Sequence, residues 1–194
     1  MELSLIERKQ QRARQRIVDA ANELFALRGF DNVSVSDIAA RAEVGRTTFF
    51  RYFGDKTEVV FAREQTMLDV IARAGEDATV GAARGSREAI EQLMPIVLEV
   101  CKHAVDDPEA YERRMTLLEG NAELRARDAL KAQQLAERLS GVLQARGAAE
   151  GISVFAAQIS LACYETARRR AKTPGDLVEE SRAVFAETLA LGRD

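Results

Sequence analysis

An all-α fold in two units is what this sequence predicts, and three observations predict it. Ala, Leu, Glu and Arg recur throughout, all good helix formers, while only three prolines (Pro95, Pro108 and Pro174) interrupt 194 residues. Apolar residues return at three- and four-residue steps in most segments, and alternating strand patterns are nearly absent. Residues 34–56, SVSDIAARAEVGRTTFFRYFGDK, hold two short helical patterns about four residues apart. The expected architecture is an N-terminal three-helix unit over 1–55, joined by a linker helix to a larger helical unit over 56–194.

The elements follow in order. Arg8, Lys9, Arg12, Arg14 and Arg16 form a basic cluster ahead of the first helix. Such an arm suits phosphate or a minor groove, and is equally readable as a solvated, frayed terminus. In the first short pattern Ile38, Ala39 and Ala42 mark one buried face, and Ser34 with Asp37 forms a capping-box-like pair. The second pattern, Arg46 to Phe53, buries Phe49 and Phe53 at a four-residue step and leaves Arg46, Thr47, Arg51 and Tyr52 pointing elsewhere. Two such helices with a tight turn make a helix-turn-helix.

A helix of about eight residues is roughly 12 Å long, so its first turn can enter a major groove while its sides face both strands. The planar fork of Arg46 matches the two acceptors of a guanine edge, and Thr47 can touch a thymine methyl or a base acceptor. Thr48, Tyr52 and Lys56 offer a hydroxyl, a phenol and an ammonium to phosphate oxygens. Charge is distributed to match. The chain has a formal net charge of −3, yet residues 1–56 hold 10 Lys or Arg against 8 Asp or Glu, and the remainder hold 18 against 23.

Past Lys56 a long linker helix is expected to about Asp77. Ser86 is placed as the cap of a helix carrying Ile90, Leu93, Met94, Val97, Leu98 and Cys101, with Pro95 inside it. Asp106 or Asp107 precedes Pro108, a good helix opener, and Gly120 ends that helix. Asn121 caps the next, whose apolar residues are Leu124, Leu130, Leu135, Leu139 and Leu143. Ile152 to Lys172 is apolar or small on nearly all sides, and Leu177 to Leu191 follows after Pro174 and Gly175. So much apolar surface on two terminal helices predicts a homodimer, with four helices packed across a two-fold axis. Two-fold symmetry in turn predicts reading heads one duplex turn apart on a near-palindrome.

The segments IVDAANELFALRGF (17–30), VSVSDIAARAEV (33–44) and RTTFFRYFGDK (46–56) resemble the N-terminal domain of the TetR family of bacterial transcriptional regulators. The resemblance implies a DNA-binding domain over 1–55 and a ligand-binding and dimerisation domain over 56–194. By position it makes Arg46 and Thr47 base readers, and Ser34, Thr48, Tyr52 and Lys56 phosphate contacts. Three residues depart from the family pattern. Glu43 stands where Gly is common in the turn, and Gly45 replaces a polar residue at the start of the reading helix. Phe50 stands where a Tyr often donates to phosphate, and it is left to pack on sugar or a thymine methyl. The combination of RTTFFRYF (46–53) with EGNAELRAR (119–127) is similar to TetR-type regulators with an acyl-CoA-like ligand domain, which makes Arg113, Arg114, Arg125 and Arg127 candidates for a ligand phosphate, or else solvated ion-pair partners of neighbouring glutamates.

The expected function is a homodimeric repressor released from its operator by a small apolar or amphipathic effector. The expected cavity wall comprises Met94, Val97, Leu98, Cys101, Tyr111, Met115, Leu118, Phe155 and Ile159, all compatible with ordinary core. The rival reading is a helical ligand-binding or protein-interaction module that does not bind an operator. No catalytic signature, phosphate loop or metal-ligand spacing is present, so no enzyme activity, cofactor or metal is expected. Cys101 and Cys163 form no CxxC pair and read as buried hydrophobes, although spacing alone leaves a redox role open. The absence of a long apolar run leads to the expectation of a cytoplasmic protein with no membrane contact.

Overall fold

The computed structural model describes residues 4–77 and 79–191, and ten α-helices with one short 3-10 turn make up the regular structure of those residues. The chain divides into two compact units, residues 1–62 and 63–194.

The first unit holds α1 (Leu5–Arg28), α2 (Val35–Arg41), α3 (Arg46–Tyr52) and α4 (Lys56–Val60). The basic segment expected as an arm is the first part of α1, because LIERKQQRARQR contains neither glycine nor proline to stop a helix. Gly29 ends α1 at φ 76°, where its N–H donates to the Phe25 carbonyl at 2.9 Å. Ile17, Ala21, Ile38 and Phe49 are fully buried, with Leu24, Phe25, Val33 and Phe53 around them. This apolar centre fixes α2 and α3 against α1, and exposed ion pairs Arg41–Glu23 and Arg28–Asp37 lie over it.

The expected continuous helix from Lys56 to Asp77 is instead two, α4 and α5 (Glu64–Gly75). Asp55 caps α4 by accepting from Glu58 N at 2.9 Å. The N–H groups of Phe61 and Ala62 then tighten onto the carbonyls of Glu58 and Val59, three residues back. Arg14 donates to the Ala62 carbonyl, which a continuous helix would have offered to Thr66. Thr66 donates to the Arg63 carbonyl at 3.1 Å, and a new helix starts there.

The second unit adds α6 (Ser86–Val105), α7 (Pro108–Gly120), α8 (Ala122–Ala145), α9 (Glu150–Arg170) and α10 (Leu177–Ala190). Helix α9 packs against α6, α8 and α10. Its inner face is small (Ala156, Ala157, Ser160, Cys163 and Ala167, all buried), which lets its neighbours approach closely. The Ser160 hydroxyl is satisfied by donating to Ala156 O at 2.8 Å. Leu93, Cys101, Leu143, Leu177 and Phe185 are fully buried in the same core. Helix α6 continues through Pro95, an exposed position, and lacks only the N–H that would have reached Glu91.

Asn121 caps α8 as expected, accepting from Leu124 N at 3.1 Å, and Asp107, next to Pro108, caps α7 by accepting from Ala110 N at 3.0 Å. Two expectations need correction. Gly85, not Ser86, is the N-cap of α6, and no side chain caps that helix. Leu130 is 60% exposed, because six residues past Leu124 the helix has turned well away from the buried face carrying Ala132, Ala136, Leu139 and Leu143. Among the described residues no helix is long and apolar enough to cross a membrane.

A candidate DNA-reading face and a cavity in the second unit

The turn between α2 and α3 rests on Glu43, whose φ of 53° lies in the left-handed region that favours glycine. It is the only described non-glycine residue with positive φ. Beyond it Gly45 is the extended N-cap of α3 and offers no side-chain hydrogen bond. With Phe49 buried beneath, Arg46, Thr47, Phe50 and Arg51 face outward, and Thr48 and Tyr52 are half-buried on the flanks. Residues 46 and 50 form one row and 47 and 51 the next, each pair one helical turn apart.

Phe50 is 49% exposed, held edge-on to Phe49 with ring centres 5.6 Å apart. Arg51 was not among the contacts expected from sequence. Its guanidinium lies 5.0 Å from the Tyr52 ring centre and donates to the Tyr52 hydroxyl at 3.3 Å. The signal that could have found it is its i+4 spacing from Thr47.

Ser34 and Lys56 are placed differently from free phosphate ligands. Ser34 is the N-cap of α2. Its hydroxyl donates to the Asp37 carboxylate and accepts from Asp37 N at 3.1 Å, holding the Asp37 pKa below the usual carboxylate range. The Lys56 ammonium donates to the carbonyls of Phe30 at 2.7 Å, Val33 at 2.9 Å and Asp31 at 3.4 Å, and sits 4.3 Å from the Phe30 ring centre. With three donors and three acceptors it is committed inside the unit. Arg14 is likewise internal, over the Phe53 ring at 5.1 Å and bonded to Ala62 O. Arg8, Lys9 and Arg12 remain exposed on α1.

The second unit contains a cavity of about 650 Å³ between α7, α8, α9 and the 3-10 turn at Pro174–Asp176. This volume lies within the usual range for small-molecule sites. Tyr111, Met115 and Leu118 line it, as expected from sequence. Met94, Val97, Leu98, Cys101, Phe155 and Ile159 do not. Val97, Leu98 and Cys101 are buried in the core, where α6 turns its apolar stripe. Phe155 is 52% exposed on the outer side of α9 beside Val154 at 45%.

Most of the other lining residues are polar or charged, with Asp128, Arg125, Arg168, Glu165 and Arg169 prominent among them, and Ala129, Ala171 and Pro174 add apolar wall. Arg168 donates twice to Asp128 Oδ2, at 3.0 and 3.1 Å, and Arg114 donates to Asp128 Oδ1. All three side chains are at most 20% exposed. The Arg168 guanidinium also lies 5.5 Å from the Tyr164 ring centre. Burial pushes the Tyr164 phenol up to about 12, and raises Tyr111 too, so both are neutral donors near pH 7. Of the other candidate arginines, Arg113 pairs with Glu109 at 3.3 Å. Arg125 donates to the carbonyls of Leu118 and Glu119 at the end of α7, and Arg127 is exposed.

Residues 17–62 match the model of the TetR family of bacterial regulatory proteins. The chain is similar to the transcriptional regulator TcmR of Streptomyces glaucescens, 28% identical over 77% of this chain and 66% of that one. It is also similar to the regulator MftR of Mycobacterium tuberculosis, 40% identical over 34% of this chain and 33% of that one. The matched region thus spans less than two thirds of either relative. A solved TetR-family repressor, Thermus thermophilus FadR in complex with lauroyl-CoA, superposes with a TM-score of 0.58 at 25% identity, covering 93% of this chain and 95% of that one.

Proposed function

Since the chain belongs to the TetR family of bacterial transcriptional regulators, we propose that it acts as a homodimeric repressor, released from a near-palindromic operator by a small amphipathic effector. One observation carries the DNA half of this reading: Arg46, Thr47, Phe50 and Arg51 stand in two outward rows on a helix whose opposite face is locked by Phe49 and Phe53. A fixed backbone presenting a guanidinium, a hydroxyl and an apolar ring is what base-edge reading requires. Arg46 and Thr47 read bases, Phe50 packs on sugar or a thymine methyl, and Thr48, Tyr52 and Arg51 flank them toward phosphate. Ser34 and Lys56 act at one remove, by holding α2 and the loop before it in place. Arg8, Lys9 and Arg12 extend the basic surface along α1.

The dimer forms through the outer sides of α9 and α10, where Val154, Phe155 and Leu191 are left open in the single chain. The effector enters the cavity between α7, α8 and α9. The lauroyl-CoA held by the Thermus thermophilus repressor supports an acyl-CoA or related lipid for this chain. Release requires only that the effector prefer the released state. A preference of about 1–3 kcal/mol weakens operator binding roughly 5- to 150-fold.

Selection of random duplex DNA by the purified protein, followed by sequencing of the retained fraction, tests this function. Enrichment of a near-palindrome is expected. No enrichment at any salt concentration would leave a helical binding module as the better description.

A further inference from the structure

The cavity holds a polar cluster that an ordinary lipid tunnel does not need. Two guanidinium groups, Arg168 and Arg114, share the carboxylate of Asp128, so these three side chains together carry more positive than negative formal charge. The Arg168 fork is also poorly used. Both of its bonds to Asp128 fall on one oxygen, Oδ2, because Arg114 occupies Oδ1, and the Tyr111 hydroxyl also accepts from it. A guanidinium binds best when two parallel N–H groups meet two oxygens of one anion. The second Arg168 nitrogen is further spent on the Met115 thioether at 3.5 Å, a weak acceptor that lines the cavity. The Tyr164 ring attracts the Arg168 cation without neutralising it.

The other charges facing the cavity do not alter this reading. Arg125 is held by the α7 carbonyls, Glu112, Glu119, Arg169 and Lys172 are exposed, and Glu165 is half-buried on α9. We propose that Asp128 is an internal stand-in for the effector's head group, and that Arg168 with Arg114 reads a two-oxygen anion, carboxylate or phosphate, that displaces it. This rests on the cavity being the effector site. It adds that the head group is anionic and names the residues that read it.

The placement of Asp128 also gives the exchange a way to be felt. Lys131 lies one turn further along α8, and its ammonium pairs with Glu64 in the first turn of α5, both side chains at most 17% exposed. Arg146, near the end of α8, donates to Ala74 O in the last turn of α5 at 2.7 Å. A change in what holds Asp128 therefore acts on the helix to which both ends of α5 are tied.

Calorimetric titration of the full chain with decanoate, decyl phosphate, decanol and decyltrimethylammonium, all below their micellar concentrations, tests the assignment. At least one of the two anions is expected to bind tenfold or more tighter than both decanol and the cation, and the stronger of the two identifies the head group. Asp128→Asn, which removes the competing carboxylate, is expected to tighten the preferred anion several-fold. The Arg168→Gln/Asp128→Asn double variant keeps a neutral hydrogen-bonded pair and is expected to bind decanol as before while losing the preference for anions. Equal binding of anion and alcohol, failure of both anions to bind, or a preference that survives the double variant would overturn the proposal. Operator selection by the same preparation is independent of these titrations, so loss of the anion reading would leave the DNA reading standing.

Discussion

Glu43 sits where the backbone wants a glycine, and Glu43→Gly should stabilise the first unit. A residue with a Cβ in the left-handed region costs roughly 1–2 kcal/mol, which glycine does not incur. Against this, glycine loses roughly 0.5–1 kcal/mol through the greater freedom of the unfolded chain. The lost partner matters little, since the Glu43–Arg16 pair is 3.9 Å apart and the Glu43 side chain is 86% exposed. The net expectation is a gain of about 0.5–1 kcal/mol, or on the order of 4 °C in the melting temperature of a domain this small. Scanning calorimetry measures it, together with hydrogen exchange at the Val44 amide, which donates to Ala39 O at 3.0 Å across the turn. Glu43→Ala is the control, because alanine keeps the Cβ and should gain nothing. A rise of equal size in both variants would show that the glutamate side chain, not the backbone, is at fault. No rise in the glycine variant would refute the strain altogether.

Three further outcomes are expected. Arg46→Ala should cost about 1–3 kcal/mol at one base-pair position in a binding-site profile, whereas a uniform loss on every sequence would make Arg46 a phosphate contact. Phe155→Glu should leave the secondary structure intact, because the ring is half exposed in the single chain, and should shift the protein to monomer in sedimentation velocity. Burial pushes the Cys101 thiol up to about 11 from its usual 9, and since the raised group favours the protonated native state, its stability contribution is complete below pH 9 and fades as pH rises to 11. That fading amounts to about 2–3 kcal/mol, and Cys101→Ala should flatten the denaturant-midpoint profile over this window whatever its effect at neutral pH.

Local rules made the reading head legible. The steps between Ile38 and Ala42 and between Phe49 and Phe53 marked buried faces that the fold keeps, and the Ser34–Asp37 pair capped where its spacing said it would. The internal bonds of Lys56 were not legible, because its partners are carbonyls 23 to 26 residues earlier and nothing near it in the chain encodes them. The linker broke for a similar reason, since the Ala62 carbonyl just past α4 is taken by Arg14, 48 residues away. Periodicity found the core of the second unit but could not place its cavity. Helix α9 is apolar or small on nearly every side, so its pattern does not say whether Phe155 faces in or out. The cavity is built around Asp128 and Arg168, which are 40 residues apart and look like surface charges when read singly.

The three carbonyls gripped by Lys56 have a consequence for how specificity and control are divided. The first turn of α4 cannot move away from the loop ahead of α2 without breaking those bonds together. Because α2 and α3 share a buried centre with α1, and Arg14 fastens α1 to the end of α4, the unit is closed into a single block. A displacement arriving at Phe61 therefore turns or shifts that block without reshaping it. Under the proposed function, the sequence preference of the reading helix should be the same whether the protein holds DNA tightly or weakly, so that the effector proposed above would change how much operator is occupied and leave unchanged which operator is chosen.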